Sequence, residues 1–339
     1  MPAAAETGAE TVLPGAFFCY RSWRMASFQF TAGPREEDVP AGEILAGKYR
    51  VESVIGAGAM GVVVRVAQVG DEGVFALKFL RPSVARDAVA AKRFLREAAA
   101  AGRIQSPHVV KISDVGELAS GVPYLVMEYL DGATLDRQLA GDRRLPLEQA
   151  CDLALQLAAG LAAAHAMGVL HRDIKPANLY LCRGDGGDEL LKIVDFGVSK
   201  ILDQDGGEGH LTRTQTSIGS PLFMSPEQMR SARTVDFRAD QWSLGAVLYR
   251  MATGNLPFDA KSLPRLCVQV LQAEFMPITT RCPDLPAEFG AVVERCLRLS
   301  PGDRFSDLAE FAAALAPFAG ARGPDRAARC RELLQSAQR

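Results

Sequence analysis

The chain has 339 residues, 48% of them apolar and 23% charged, with a formal net charge of −2. These values fit a globular protein of one large domain or two lobes, and they leave no electrostatic footprint for nucleic acid or an anionic membrane surface. Seven dispersed cysteines without a Cys-x-x-Cys pair, and only four histidines, point to reduced thiols in a cytoplasm and against a disulfide framework or a histidine-rich metal site.

Residues 1–47 show no sustained periodicity and are expected to be disordered. Met25 follows an aromatic cluster, Phe17 to Trp23, that has no evident partner. One expectation is that translation begins at Met25 and leaves 1–24 untranslated, which the intact mass of the native protein decides. The apolar run before Arg21 is too short for a signal peptide. The longest apolar stretch, Leu153–Leu170, contains Gln156 and His165 and reads as a buried Ala-rich helix, not a membrane span.

From Lys48 the pattern becomes regular. Tyr49–Ile55 predicts a strand, followed by Gly56-Ala57-Gly58-Ala59-Met60-Gly61 and then the β-branched run Val62–Ala67. A Gly-x-Gly-x-x-Gly alone is weak, since a plain hairpin turn uses the same residues. Its context excludes the dinucleotide-binding pattern, in which the glycines open a helix. Here a strand follows, so the glycines form the tip of a hairpin where backbone amides can approach phosphate.

Val74–Leu80 predicts a strand with Lys78 inside it. A buried ammonium needs an anion nearby. Val84–Ile104 predicts a helix whose apolar face is Phe94, Leu95, Ala98, Ala101 and Ile104. Glu97 on that helix is the candidate partner of Lys78. Val109–Ile112 and Tyr124–Tyr129 predict two further strands, and Leu130-Asp131-Gly132 breaks the pattern. Beyond it the chain turns helical over 134–140 and 146–168. The expected fold class is therefore α+β with two lobes: a strand-rich lobe over 48–130, a mainly helical lobe over 131–318, and a tail over 319–339. A ligand would sit in the cleft between the lobes.

The helix ending near 168 leads into His171-Arg172-Asp173-Ile174-Lys175-Pro176-Ala177-Asn178. Pro176 disfavours continued helix, so this is a loop. Short strands at Leu179–Leu181 and Leu190–Ile193 follow, then Asp195-Phe196-Gly197. A long buried helix is expected from Asp240 to Met251, and the segment after Gly320 reads as a basic amphipathic helix at a solvated end.

Taken in order, Gly56-x-Gly58-x-x-Gly61-x-Val63, Phe75-Ala76-Leu77-Lys78, Glu97, His171 to Asn178, Asp195-Phe196-Gly197 and Ser225-Pro226-Glu227 match the signature set of protein kinases. Over roughly residues 48–317 the chain resembles the eukaryotic-like (Hanks-type) serine/threonine kinases of bacteria. The resemblance implies ATP and Mg²⁺ as cofactors, with Mn²⁺ as an alternative ion, and protein Ser/Thr hydroxyls as substrates. It implies that the glycine loop with Ile55 covers the phosphates. Lys78 holds the α/β-phosphates and pairs with Glu97. Asp173 orients the attacking hydroxyl, Lys175 neutralises the transferring phosphate, and Asn178 and Asp195 hold the metal. Val63 and Ala76 would roof the adenine and Tyr180 floor it, with Met127 as gatekeeper and the backbone of Glu128 and Leu130 reading the purine edge.

Arg172 beside the catalytic aspartate implies activation by phosphorylation at Thr212, Thr214, Thr216 or Ser217, in trans within a transient homodimer. Asp240 is expected to anchor the backbone at His171–Arg172, His171 to pack under Phe196, and Arg304 to pair with Glu227. The chain departs from the family pattern at Ala101, which is expected to loosen the helix of Glu97. It departs also at Ser220, in place of a threonine, and at Ala133-Thr134, where some relatives carry a glutamate that selects basic substrates. A silent kinase fold is disfavoured by the presence of Lys78, Asp173, Asn178 and Asp195. A small-molecule phosphotransferase is disfavoured by the Ser225-Pro226-Glu227 segment.

Overall fold

Alternating burial builds the first part of the molecule. The computed structural model describes residues 39–336 apart from 59, 72, 185–186, 197–220 and 232–234. Strands β1 (Ile44–Leu45), β2 (Tyr49–Ala57), β3 (Gly61–Gln68), β4 (Val74–Leu80), β5 (Ile112–Glu117) and β6 (Pro123–Glu128) form an antiparallel sheet in the order β1-β2-β3-β4-β6-β5. On β3, Val62, Val64 and Val66 are fully buried, the period-2 signature of a strand with one face in a core. They pack with Val51, Leu77, Phe79 and Val126. The opposite face of β4 and β6, with Ala76, Leu80, Leu125 and Met127, packs on helices α1 (Pro82–Ala85) and α2 (Ala88–Ala101) through Val84, Ala90, Phe94 and Ala98.

Three local expectations are corrected here. The helix expected over Val84–Ile104 is broken at Asp87, whose carboxylate accepts the amides of Val89 (2.9 Å) and Ala90 (3.3 Å) and so caps a new helix. The strand expected at Val109–Ile112 begins only at Ile112. Val110 instead donates its amide to the Ile193 carbonyl at 3.0 Å, tying this segment to a strand of the other lobe. Disorder over 1–47 does not extend to its end: Val39 and Leu45 enter the core and β1 pairs with β2. Residues 1–38, and with them Met25, lie outside the described residues.

After β6 the chain forms β7 (Gly132–Thr134), α3 (Leu135–Gln138) and α4 (Leu147–His165), then β8 (Leu179–Arg183) and β9 (Glu189–Ile193), which join β7 in a small sheet of order β7-β8-β9. The remaining helices are α5 (Pro226–Arg230), α6 (Arg238–Thr253), α7 (Leu263–Gln272), α8 (Ile278–Arg281), α9 (Ala287–Cys296), α10 (Leu308–Leu315) and α11 (Gly323–Ser336). Helix α4 is buried nearly all round, and its Leu153, Leu157 and Leu161 share one core with Trp242, Val247 and Leu248 of α6. Gly160 lets α4 lie against β9, because a Cβ there would meet the Ile193 side chain at 2.6 Å and the His108 carbonyl at 3.0 Å.

The end of the chain is not a solvated tail. Helix α11 lies on α4, with Ala327 and Cys330 buried. Arg326 forks onto the Asp152 carboxylate, Nε to Oδ1 and Nη2 to Oδ2 at 3.0 Å. Read alone, α11 is basic and polar; its carboxylate partner comes from a helix far back in the chain. Among the described residues no helix is long and apolar enough to cross a membrane.

Candidate active site

The loop after α4 is held from below by one buried carboxylate. Asp240, in the first turn of α6, accepts the backbone amides of Arg172 (Oδ1, 2.8 Å) and His171 (Oδ2, 3.0 Å), and the His165 imidazole lies 2.8 Å from Oδ2. Burial pushes the Asp240 carboxyl upward, but His165 and the backbone donors outweigh it and hold the group below the ordinary carboxylate range. These bonds keep Arg172 in the left-handed region at φ 65°, a conformation costly for a residue with a Cβ. Gln228 adds a second anchor, donating from Nε2 to the Arg172 carbonyl at 2.9 Å. Its position is set by a capping box with Ser225.

His171 is structural, as expected. Its Nε2 lies 2.9 Å from the Val194 carbonyl and its Nδ1 accepts the Asp173 amide at 3.2 Å, which the neutral Nε2–H tautomer satisfies on both sides. The ring sits 4.7 Å from that of Phe196. With the backbone so fixed, the Asp173 side chain is bracketed. Lys175 Nζ donates to its Oδ2 at 2.8 Å, and the Asn178 amide donates to Oδ2 at 3.1 Å and to the Asp173 carbonyl at 2.8 Å. Asn178 spends both bonds through its nitrogen, so its amide oxygen is oriented away as a hard donor.

Across the cleft, Lys78 is buried within β4 and finds its anion, but not the expected one. Its Nζ lies 2.6 Å from Asp195 Oδ1, and no hydrogen bond or ion pair joins it to Glu97. Glu97 stands on α2 among Arg93, Arg96 and Arg172, with Oε2 buried and unpartnered. Burial raises its pKa against the lowering pull of those arginines. The expected Lys78–Glu97 pair is thus absent because α2 carries Glu97 away from β4 and Asp195 satisfies the ammonium. Asp195 itself sits at φ 63°. Burial would raise its pKa, but Lys78 outweighs this and lowers it.

The residues expected around the adenine do converge. Ala76 and Met127 are buried in one cluster, and Val63, Leu130 and Tyr180 pack against it half-buried. Glu128 closes β6. In the glycine loop, a Cβ on Gly58 would meet nothing within 4 Å, leaving room for an approaching anion. Gly61 is required for another reason: a Cβ there would strike the Phe79 carbonyl at 2.3 Å. Ile55 is exposed beside it. Arg304, with a fully buried side chain, donates to both oxygens of Glu227 (2.7 and 2.9 Å) and to the Arg238 carbonyl at 2.7 Å. Ala59 and the hydroxyls Thr212, Thr214, Thr216, Ser217 and Ser220 lie outside the described residues.

Two contacts escaped the sequence reading. The Glu128 carboxylate binds Lys192 and the Lys111 amide, and Gln228 holds the catalytic loop. The Ser-x-x-Gln capping pattern at 225–228 was a signal for the position of Gln228, though not for its partner.

A strand-rich lobe carrying a buried lysine, over a helical lobe carrying the Asp173 loop and Asp195, is the protein-kinase fold. The protein kinase domain profile matches residues 49–316, and the chain belongs to that family. It is 35% identical over 282 residues to the serine/threonine-protein kinase pkn3 of Myxococcus xanthus, covering 83% of this chain and 51% of that protein. To the serine/threonine-protein kinase PknB of Mycolicibacterium smegmatis it is 33% identical over 284 residues, covering 83% of this chain and 44% of that one. The chain thus spans about half the length, or less, of these curated relatives. The crystal structure of the PknI kinase domain of Mycobacterium tuberculosis superposes with a TM-score of 0.63 at 31% identity, covering 83% of this chain and 99% of that domain.

Proposed function

We propose that the chain is an ATP- and Mg²⁺-dependent serine/threonine protein kinase. The observation that carries this reading is the Asp173 carboxylate, bracketed by Lys175 and Asn178 on a loop whose backbone is pinned by Asp240. A substrate hydroxyl oxygen attacks the γ-phosphorus of ATP, the bond to the β-phosphate oxygen breaks, ADP leaves, and the hydroxyl proton passes to Asp173. Lys175 stands beside that carboxylate as a cation for the transferring phosphoryl group. Such transfer needs positioning and charge neutralisation more than covalent chemistry.

Asn178 and Asp195 would hold Mg²⁺. One amide oxygen and one carboxylate fit an ion that prefers hard oxygens and completes its shell with phosphate and water. When bound, it neutralises charge on the phosphate oxygens. Lys78 would serve the α/β-phosphates, and Glu97 would join it once α2 turns toward β4. The printed names of the relatives, serine/threonine-protein kinases, support protein hydroxyls as acceptors.

Autophosphorylation within 212–217 belongs to the same proposal. Arg172 carries a buried Nε without a hydrogen-bond partner, a fitting recipient for a phosphate of about −1.5 to −2 charge. The test is incubation with Mg²⁺ and labelled ATP beside Asp173→Asn, followed by phosphosite mapping. Label in the parent and its loss in Asp173→Asn is the expected result. Equal label in both would remove Asp173 from its role, and label in neither would favour a silent kinase fold.

A further inference from the structure

The junction of the lobes carries an ion pair whose position suggests more than stability. Glu128 closes β6, the strand that leads into the expected adenine-reading backbone. Its Oε1 accepts two donors: the Lys111 amide at 2.7 Å and Lys192 Nζ at 2.6 Å. Glu128 in turn donates its own amide to the Lys111 carbonyl at 2.9 Å, so residues 111 and 128 are bonded reciprocally. Lys192 lies on β9, the strand that runs directly into Asp195. The next residue, Ile193, is bonded through its backbone to His108 (2.9 Å) and Val110 (3.0 Å).

We propose that the Glu128–Lys192 pair is a positioning clamp that sets the adenine-reading backbone at 128–130 relative to Tyr180 and Asp195. The inference rests on the nucleotide-binding reading above. Directly paired residues on neighbouring strands present their side chains on one face of a sheet. Lys192 is the register partner of Tyr180, so its stem rises from the face that carries the expected adenine floor. The ammonium reaches from that face to the end of β6, and thus joins the helical lobe to the strand-rich lobe at their crossing.

Most ion pairs at protein surfaces contribute little, because water screens them and long side chains lose freedom. This one differs in geometry. The side chains are only 14% (Lys192) and 32% (Glu128) exposed, and the shared oxygen is already fixed by a backbone amide. Loss of the ammonium lets the end of β6 shift relative to β9. The adenine contacts weaken, while Lys78, Asn178 and Asp195, which serve the phosphates, keep their places.

The test compares Lys192→Met, Lys192→Arg, Glu128→Gln and the Glu128→Gln/Lys192→Met double variant in the full chain. Calorimetry measures binding of Mg²⁺-ATP and of Mg²⁺-tripolyphosphate, which has the phosphates without the adenosine. Lys192→Met is expected to bind ATP about five- to tenfold more weakly, the effect of losing one partly shielded charge-assisted bond. Its tripolyphosphate affinity stays unchanged. Lys192→Arg retains parental ATP affinity, and the double variant loses no more than the larger single loss, as for two residues of one contact.

Parental ATP affinity in Lys192→Met, or an equal loss for both ligands, overturns the clamp while leaving the kinase reading intact. Failure of the parent itself to bind ATP overturns that reading instead. Lys192→Gln, which keeps a donor without the charge, gives the same comparison if Lys192→Met does not fold.

Discussion

Asp240 touches no reacting atom, yet catalysis should depend on it through the backbone it holds. Its two oxygens serve the amides of His171 and Arg172 and the imidazole of His165. Asp240→Asn keeps one acceptor oxygen and replaces the other with a donor, so at least one backbone amide loses its partner. A bond to a charged group contributes about 1.5–3 kcal/mol. Arg172 must also be held against about 1–2 kcal/mol of left-handed backbone cost. A net loss of about 2 kcal/mol in the population of the correct loop geometry corresponds to a kcat lower by about 10- to 100-fold. Lys78 and Asp195 do not contact Asp240, so the KM for ATP should stay within about twofold of the parent. Initial-rate transfer from labelled ATP measures both constants, and near-ultraviolet circular dichroism checks that the variant is folded. Parental kcat in folded Asp240→Asn would refute the claim that these bonds place Asp173.

Other expectations follow from the same contacts. Arg304→Met strands Glu227, whose pKa is lowered by Arg304 against the raising effect of burial, and should cost about 3–5 kcal/mol of stability in urea denaturation; a loss under about 1 kcal/mol would show the pair to be replaceable. Gly160→Ala forces α4 from β9 and should cost about 1–3 kcal/mol while also slowing transfer, since the catalytic loop follows α4. His108 is pushed down by burial from 6.5 to about 4. Between those values the unfolded chain binds a proton that the folded chain does not. Its contribution is therefore complete above pH 6.5 and is lost as pH falls toward 4, by up to about 3 kcal/mol. His108→Gln should flatten that part of the stability profile, and an unchanged slope would count against the assignment. Truncation after Gly320 removes α11 from α4 and should lower the melting temperature by the burial of Ala327 and Cys330 and part of Leu333 and Leu334, about 3–5 kcal/mol in all; an unchanged melting temperature would mean that the helix does not pack there in solution.

Much of the site could be read in advance because its pieces are local. The hairpin of Gly56 to Gly61 is set by consecutive residues, and so is the turn at Pro176. Asp240 falls in the first turn of a helix whose apolar period is evident, and Arg304 follows a Pro-Gly pair. Each of these needs only backbone preference and burial period to be placed, and the order of the pieces then narrows the fold to one family.

The partners of the charges are a different matter. Lys78 needed an anion on any reading, but whether Glu97 or Asp195 supplies it depends on how α2 is turned against β4. A small rotation of a helix exchanges those partners without altering any local rule. The same holds for Arg326 on Asp152, Gln228 on the Arg172 carbonyl, and Lys192 on Glu128. These residues lie far apart in the chain, and their side-chain types would be equally at home in water.

Local propensity and hydrophobic period therefore reached from the residues to the elements, the two lobes and the catalytic loop. Packing alone chose which buried charge meets which, because a Coulomb contact decays within a few ångströms and the positions of whole helices set those distances.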